Sequence, residues 1–262
     1  MKDIRLQAHR GVSSEYPENT LAAFRAAIEE GYKIIELDPK FTSDGHCLIL
    51  HDRTLNRTAR KNGKAPEAEI KIADITLEEA RSWEVGSWMD KRFTGEKMPT
   101  LEEVVALIAE NDIPFKFDNV WEKFSESEQE TLLGTLERAK LGKKIGFTCQ
   151  RLDTFEKVAR RFPDAELHWD GDLSKETLDT VKSIAGNHRL TLWVCYENEL
   201  STWFTREKAS KTLCDRVREY GEVGIWILSK KEELRRALLE YDADAVETTG
   251  HVKPCMIDEI RE

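Results

Sequence analysis

The sequence predicts an α/β protein, a single (β/α)8 barrel carrying one long insertion. Three observations support that expectation. Strand-like and helix-like segments alternate along the 262 residues, giving about eight repeats over about 250 residues, the size of such a barrel. No Pro/Gly/Ser-rich linker divides the chain, so 1–262 reads as a single domain, interrupted only by a polar stretch at 52–98. No G-x-G-x-x-G follows the first strand-like segment, which tells against an open doubly wound sheet.

Residues 4–9 are short and apolar-leaning, as a first strand should be. Residues 18–31 follow as a helix, with Leu21, Phe24, Ala27 and Ile28 at helical spacing and Gly31 as the stop. Residues 33–41, the turn Ser43-Asp44-Gly45 and residues 47–51 read as strand, hairpin-type connection, strand. Residues 52–98 are polar and mixed, with loop signals at Lys61-Asn62-Gly63-Lys64 and at 91–97, and one short helical stretch at 77–83. A structureless loop of this length would be unusual inside a compact domain, so the segment reads as an insertion. Thr100 then opens a helix as N-cap, with Glu103 three residues later completing a capping box. Strands are predicted at 114–119, 144–149, 166–170, 190–195, 224–228 and 243–248. The helices between them are predicted at 126–141, 153–162, 175–185, 202–220 and 231–241.

Composition excludes some classes of function. Forty Lys+Arg stand against fifty Asp+Glu, a formal net charge of −10, which disfavours broad electrostatic binding to nucleic acid while leaving room for a local basic pocket. The apolar runs at 33–37, 47–50 and 190–194 fall far short of the roughly 20 residues of a membrane helix. Met1-Lys2-Asp3-Ile4-Arg5 runs into the first strand without a signal-peptide core, so a soluble, cytoplasmic protein is expected. The five cysteines are widely spaced, with no C-x-x-C pair. They read as buried small hydrophobes in a reducing compartment rather than as disulfides or zinc ligands.

In a (β/α)8 barrel the catalytic groups sit at the C-terminal ends of the strands. There the sequence places His9-Arg10-Gly11, Glu36-Leu37-Asp38, His51-Asp52, and Lys116 with Asp118. The period of two puts Glu36 and Asp38 on one strand face. Two aligned carboxylates call for a cation or a proton between them, and hard oxygen ligands suit Mg2+ or Ca2+ better than zinc or copper. Two histidines can divide general base and general acid work. Arg10 and Lys116 suit an anionic phosphate. The residue types together point to metal-assisted phosphoester chemistry.

These residues also carry a resemblance. His9-Arg10-Gly11, Pro17-Glu18-Asn19-Thr20, Glu36-Leu37-Asp38, Thr42-Ser43-Asp44-Gly45 and His51-Asp52 fall in the order and spacing of the glycerophosphodiester phosphodiesterase family. Leu55-Asn56-Arg57-Thr58, Asp74-Ile75-Thr76-Leu77-Glu78-Glu79 and Met98-Pro99-Thr100-Leu101-Glu102-Glu103 continue the match. The second half resembles the family more weakly, chiefly in Ile225-Trp226-Ile227 and in the helix leading to Asp244-Ala245-Val246. The resemblance implies a TIM barrel, with 52–98 as an insertion over the mouth. It further implies a divalent cation, Mg2+ or Ca2+, held partly by Glu36 and Asp38, with His9 and His51 as acid and base and Arg10 on the phosphate. The implied reaction releases glycerol 3-phosphate and an alcohol from a glycerophosphodiester by way of a cyclic phosphate.

One strand departs from the family pattern. Where the family reads Asn-Ile-Glu-Ile-Lys, this chain reads Pro114-Phe115-Lys116-Phe117-Asp118, so the metal-ligand Glu and the phosphate-site Lys have exchanged charge. Two residues along a strand span about 6.5–7 Å, more than a metal–oxygen bond can absorb. Three arrangements follow. Asp118 could join Glu36 and Asp38 around a shifted metal; the Lys116 ammonium could replace the cation; or the barrel could bind a phosphodiester without cleaving it. Two further residues are expected at the mouth. Trp226 would form a wall for the alcohol or glycerol, and His168, sharing a strand face with Asp170, would line the leaving-group side.

Overall fold

A computed structural model of the chain describes residues 2–200, 202 and 204–261. Eight parallel strands close into a barrel: β1 (Arg5–Ala8), β2 (Ile34–Leu37), β5 (Phe115–Phe117), β6 (Ile145–Cys149), β7 (Glu166–Trp169), β8 (Leu190–Cys195), β9 (Glu222–Leu228) and β10 (Ala245–Thr248), with β1 paired to both β2 and β10. The predicted (β/α)8 barrel is therefore the observed fold. The helices around it are α1 (Leu21–Glu29), α3 (Leu101–Ala109), α4 (Glu126–Ala139), α5 (Leu152–Arg161), α6 (Lys175–Ala185), α7 (Lys211–Arg218), α8 (Lys231–Leu239) and α9 (Cys255–Arg261). No helix among the described residues is long and apolar enough to cross a membrane.

The core lies between the strands and this helical ring. Phe24 of α1 meets Phe115 of β5 edge-on at 5.6 Å, and Phe155 of α5 meets Trp169 of β7 edge-on at 5.5 Å. All four rings are buried, each stabilising the fold by roughly 1.5–3 kcal/mol through apolar burial. The capping box predicted at Thr100 is formed, its side chain accepting from the Glu103 backbone N–H while Glu103 accepts from the Thr100 N–H.

Three segments differ from the sequence reading. The helix expected from residue 18 starts at Leu21, because Thr20 takes the N-cap and accepts from the Ala23 N–H at 3.2 Å. Pro17-Glu18-Asn19 is thereby left as a loop at the barrel mouth. Residues 33–41 are not one strand: the chain leaves the barrel after Leu37, and β3 (Pro39–Phe41) pairs with β4 (Cys47–Ile49) as a separate antiparallel hairpin. The helix expected over 202–220 begins only at Lys211, where Ser210 caps it by accepting from the Leu213 N–H. Trp203 of that stretch lies outside the described residues, and Phe204 and Arg206 reach the cavity instead of a helix face.

The 52–98 segment carries short 3₁₀ turns and the helix α2 (Leu77–Arg81), and its Leu55, Ile72, Val85 and Met98 form a small apolar cluster with Leu48 of β4. It is tied to the barrel beside the first strand. Phe93 packs on Tyr16 at 5.4 Å, and the Arg92 guanidinium donates to the Glu15 carbonyl at 2.9 Å.

Candidate active site

The C-terminal ends of the strands open into a cavity of ≈ 1100 Å³. His9 follows β1, its backbone N–H donating to the Thr248 carbonyl at 2.8 Å. The chain then turns through Arg10 at φ 60 and Gly11 at φ 78. A Cβ at Gly11 would lie 2.7 Å from the Ala23 backbone, so both the left-handed φ and the lack of space call for glycine there. The turn aims the Arg10 backbone N–H at Glu36 Oε2, 2.9 Å away.

Glu36 lies in β2, and Asp38 and Asp118 follow the ends of β2 and β5. The register pairs Glu36 with Lys116 and Leu37 with Phe117, and the Asp118 N–H extends the ladder to the Leu37 carbonyl at 3.0 Å. One oxygen from each of Glu36, Asp38 and Asp118 falls within 4.8 Å of the others. Asn19, at φ 57, clamps Asp38 from the side: its Nδ2 donates to Oδ2 at 2.7 Å, and its Oδ1 accepts from the Asp38 N–H at 3.3 Å. Arg10 Nε stands 3.3 Å from the same Oδ2.

The electrostatics match that crowding. Burial, then Asp38 and Glu247, push the Glu36 carboxyl well above its ordinary range, and burial with Asp38 raises Asp118. Burial acts the same way on Asp38, but Arg10 and His51 outweigh it and hold that carboxyl low. Three oxygen donors facing one another, two of them disfavoured as anions by burial and by the neighbouring carboxylates, suit a hard divalent cation.

His9 Nε2 lies 4.0 Å from Glu36 Oε2. Burial and the Arg10 charge hold its pKa well below the ordinary histidine value, so the ring is neutral at neutral pH. His51 pairs through Nδ1 with Asp52 Oδ1 at 2.7 Å, which orients the ring and leaves Nε2 for proton exchange. The Arg57 guanidinium donates to Asp52 Oδ2 at 2.7 Å and to both Glu18 oxygens at 2.7 and 2.8 Å. Glu18 in turn accepts from Arg10 Nη1 at 3.0 Å. Burial pushes Glu18 up, but the Arg57 hydrogen bonds and the Arg10 charge prevail and keep it low. His51 and Arg10 are thus joined through Asp52, Arg57 and Glu18.

The remaining expected residues separate. Lys116 faces the cavity, but its ammonium pairs with Glu247 at 3.1 Å and sits 4.4 Å from the centre of the Trp193 ring. Burial lowers its pKa, yet Glu247 and Glu36 outweigh burial and the group stays charged. Trp226 lines the cavity, edge-on to Phe204 at 4.8 Å, with the Arg206 guanidinium 5.8 Å from its ring centre. His168 does not line the cavity. It is 1% exposed and stacks on Trp193, whose Nε1 donates to its Nδ1 at 3.2 Å. The period of two places it on one strand face with Asp170, which does line the cavity; how deep each side chain sits depends on the barrel stagger, which sequence does not carry.

Asn19, Glu18, Arg57, Glu247 and Arg206 have no role from sequence. Asn19, Glu18 and Arg57 sat inside recognised motifs, so a signal was present without a function attached. Glu247 carried none beyond an unexpected charge in an apolar strand. Asp170 and Arg206 pair at the far wall, with Arg206 Nη1 donating to the Asp170 carbonyl at 2.5 Å as well as to its carboxylate. Burial pushes the Asp170 carboxyl up to about 6 against the pull of Arg206.

Comparison with known proteins adds three findings. The sequence model of the glycerophosphoryl diester phosphodiesterase family matches residues 9–248. A glycerophosphodiester phosphodiesterase of Caldanaerobacter subterraneus subsp. tengcongensis is 44% identical over 105 residues, which is 40% of this chain and 40% of that protein. The match therefore spans well under two thirds of that relative. Among solved structures, a putative glycerophosphoryl diester phosphodiesterase of Silicibacter pomeroyi superposes with a TM-score of 0.75 at 20% identity, covering 98% of this chain and 94% of that one. An Oleispira antarctica phosphodiesterase, solved in complex with the product sn-glycerol-3-phosphate, gives a TM-score of 0.71 at 19% identity, covering 98% and 96%. At these identities the superpositions establish a shared fold.

Proposed function

Because this chain belongs to the glycerophosphoryl diester phosphodiesterase family, we propose that it hydrolyses a glycerophosphodiester to glycerol 3-phosphate and an alcohol. The observation that carries this reading is the meeting of Glu36, Asp38 and Asp118 with His9, His51 and Arg10 in a single cavity. Members of the family generally use a divalent cation. Glu36, Asp38 and Asp118 would hold it here, as Mg2+ or Ca2+; once bound, it supplies positive charge against the phosphoryl oxygens. Of the three arrangements open from sequence, this reading takes the first: Asp118 completes the ligand set, and Lys116 is engaged by Glu247 rather than standing in for the metal.

Arg10, oriented by Glu18 and Asp38, contacts the phosphate. His9, neutral, takes the proton of the glycerol hydroxyl beside the phosphodiester as that oxygen bonds to phosphorus. The phosphorus–oxygen bond to the alcohol breaks, and the departing oxygen takes a proton from His51. Water then adds to the cyclic phosphate and gives its proton to His51, while the ring oxygen leaves with the proton held by His9. Both histidines return to their starting states. The nucleophile belongs to the substrate, so the protein contributes orientation, proton transfer and charge stabilisation.

The test is incubation of the purified protein with glycerophosphodiesters bearing different alcohols, with added Mg2+ or Ca2+ and with EDTA. Glycerol 3-phosphate should form, and His9→Ala and His51→Ala should each lower kcat/KM by about 10²–10⁴-fold. Turnover that survives unchanged in both variants would overturn the assignment. Binding of intact diester, seen as a raised melting temperature without turnover, would favour a non-catalytic barrel.

A further inference from the structure

Lys116 raises a physical problem that the proposed cation site has to solve. It is the register partner of Glu36 on the neighbouring strand. It is 4% exposed, so water does not screen its charge, and Glu36 and Asp118 both act on it electrostatically. A buried ammonium beside three carboxylates would itself neutralise them and compete with a divalent ion for the same oxygens.

The structure offers that ammonium another partner. Glu247 comes from β10, three strands away around the wall past β2 and β1, and meets Lys116 Nζ at 3.1 Å across the barrel interior. Gln7, the register partner of Glu247 on β1, donates from its side-chain amide to the same carboxylate oxygen. Trp193 of β8 places its ring face 4.4 Å from the ammonium on another side. Glu247 is itself 6% exposed and lies in a strand otherwise made of Ala245, Val246 and Thr248. A buried carboxylate there needs a countercharge, and Lys116 supplies one.

We propose that Glu247 is a positioning residue that holds the Lys116 ammonium away from Glu36, Asp38 and Asp118, so that a strand with reversed charge order still leaves these three carboxylates free for a divalent cation. The inference rests on the cation assignment made above. Lys116 and Glu247 act as one unit, with Gln7 and Trp193 fixing its geometry, and Asp118 restores the third ligand that the strand has lost at position 116.

The experiment is calorimetric titration of Mg2+ and of Ca2+ into wild-type protein, Glu247→Gln, Lys116→Met and the Glu247→Gln/Lys116→Met double variant. Apo melting temperatures are measured in parallel to show that each is folded. Glu247→Gln releases the ammonium onto the carboxylates and should weaken cation affinity by about 10–100-fold, the usual cost of losing a supporting group. The double variant should recover to within about 3-fold of wild type, because without the ammonium there is nothing to hold away. Wild-type affinity in Glu247→Gln overturns the proposal, as does a double variant as weak as Glu247→Gln. If Glu247→Gln does not fold, the decision passes to Lys116→Met against the double variant: equal affinities support the proposal, and a 10-fold loss in the double overturns it. Wild-type protein that binds neither ion also overturns it, whereas the diesterase reading fails separately, on absence of turnover both with the ions and in EDTA.

Discussion

The two sides of the cavity are built differently. On one side His9, Glu36, Asp38 and Asp118 stand on or just beyond β1, β2 and β5, and main-chain ladder bonds fix their heights: His9 to Thr248, Asp118 to Leu37. Their side chains are then clamped, Glu36 by the Arg10 backbone and Asp38 by Asn19. On the other side Phe204 and Arg206 arrive on the stretch between β8 and α7, and they are placed by contacts with Trp226 and Asp170 rather than by a ladder. Groups that must meet a reacting phosphorus need the first kind of support. Groups that select an alcohol can work from the second, because a loop changes without disturbing the scaffold.

The sharpest way to break this contrast is at the junction of β5 with the acidic cluster. Asp118→Asn keeps the shape and the hydrogen bond to the Val120 N–H but removes one anionic ligand of the proposed cation. Activity at saturating Mg2+ or Ca2+ should fall more than 100-fold, beyond what loss of a supporting group costs. A steady-state assay showing less than a 5-fold loss would mean that Glu36 and Asp38 suffice, and that the charge exchange on β5 has already dispensed with a third ligand.

A second probe lies inside the barrel wall. Burial, helped by the Lys116 charge and opposed by Glu166, lowers the His168 pKa to about 4, so the folded protein keeps this ring neutral while the unfolded chain protonates it below its ordinary value near 6.5. The unfolded state therefore binds the extra proton between those limits, and stability falls as pH drops from about 6.5 towards 4, by on the order of 3 kcal/mol from this residue. Melting curves across that window should be flatter for His168→Gln than for wild type. Parallel curves would place the acid sensitivity elsewhere, His9 being the other ring held well below its ordinary value.

His168 also shows what could be read beforehand. The alternation of segments gave the barrel, and the strand ends gave His9, Glu36, Asp38 and Asp118, because a parallel barrel turns sequence position into location by rule. Period two gave the face of His168 but not its depth, which the stagger between strands decides. The 202–220 stretch is not one helix because Ser210 caps it only at Lys211, while Arg206 before it is held by Asp170, distant in sequence. Glu247 was unreadable for the same reason: its partner Lys116 is 131 residues away.

Gly11 tests the rigid side through the backbone. Gly11→Ala forces a Cβ into the Ala23 backbone at 2.7 Å from a left-handed φ, at a cost of about 1–3 kcal/mol. Because the same turn carries His9 and aims the Arg10 N–H at Glu36, kcat should fall along with the melting temperature. A variant destabilised to that extent with unchanged kcat would show that the turn tolerates movement, contrary to the contrast drawn above.

The smallest effect is expected on the loop-borne side. Arg206→Ala removes the cation near the Trp226 ring and the partner of the Asp170 carboxylate, leaving Glu36, Asp38, Asp118 and both histidines untouched. A contact of this kind is worth about 1 kcal/mol, or roughly 5-fold. If the far wall only grips the alcohol, that loss should appear in KM with kcat within about 2-fold of wild type, and its size should change with the alcohol offered. If kcat falls as far as KM rises, whichever alcohol is offered, Arg206 stabilises the reacting phosphate itself. The division between a rigid chemical side and an adaptable selecting side would then fail at the residue where the two are easiest to separate.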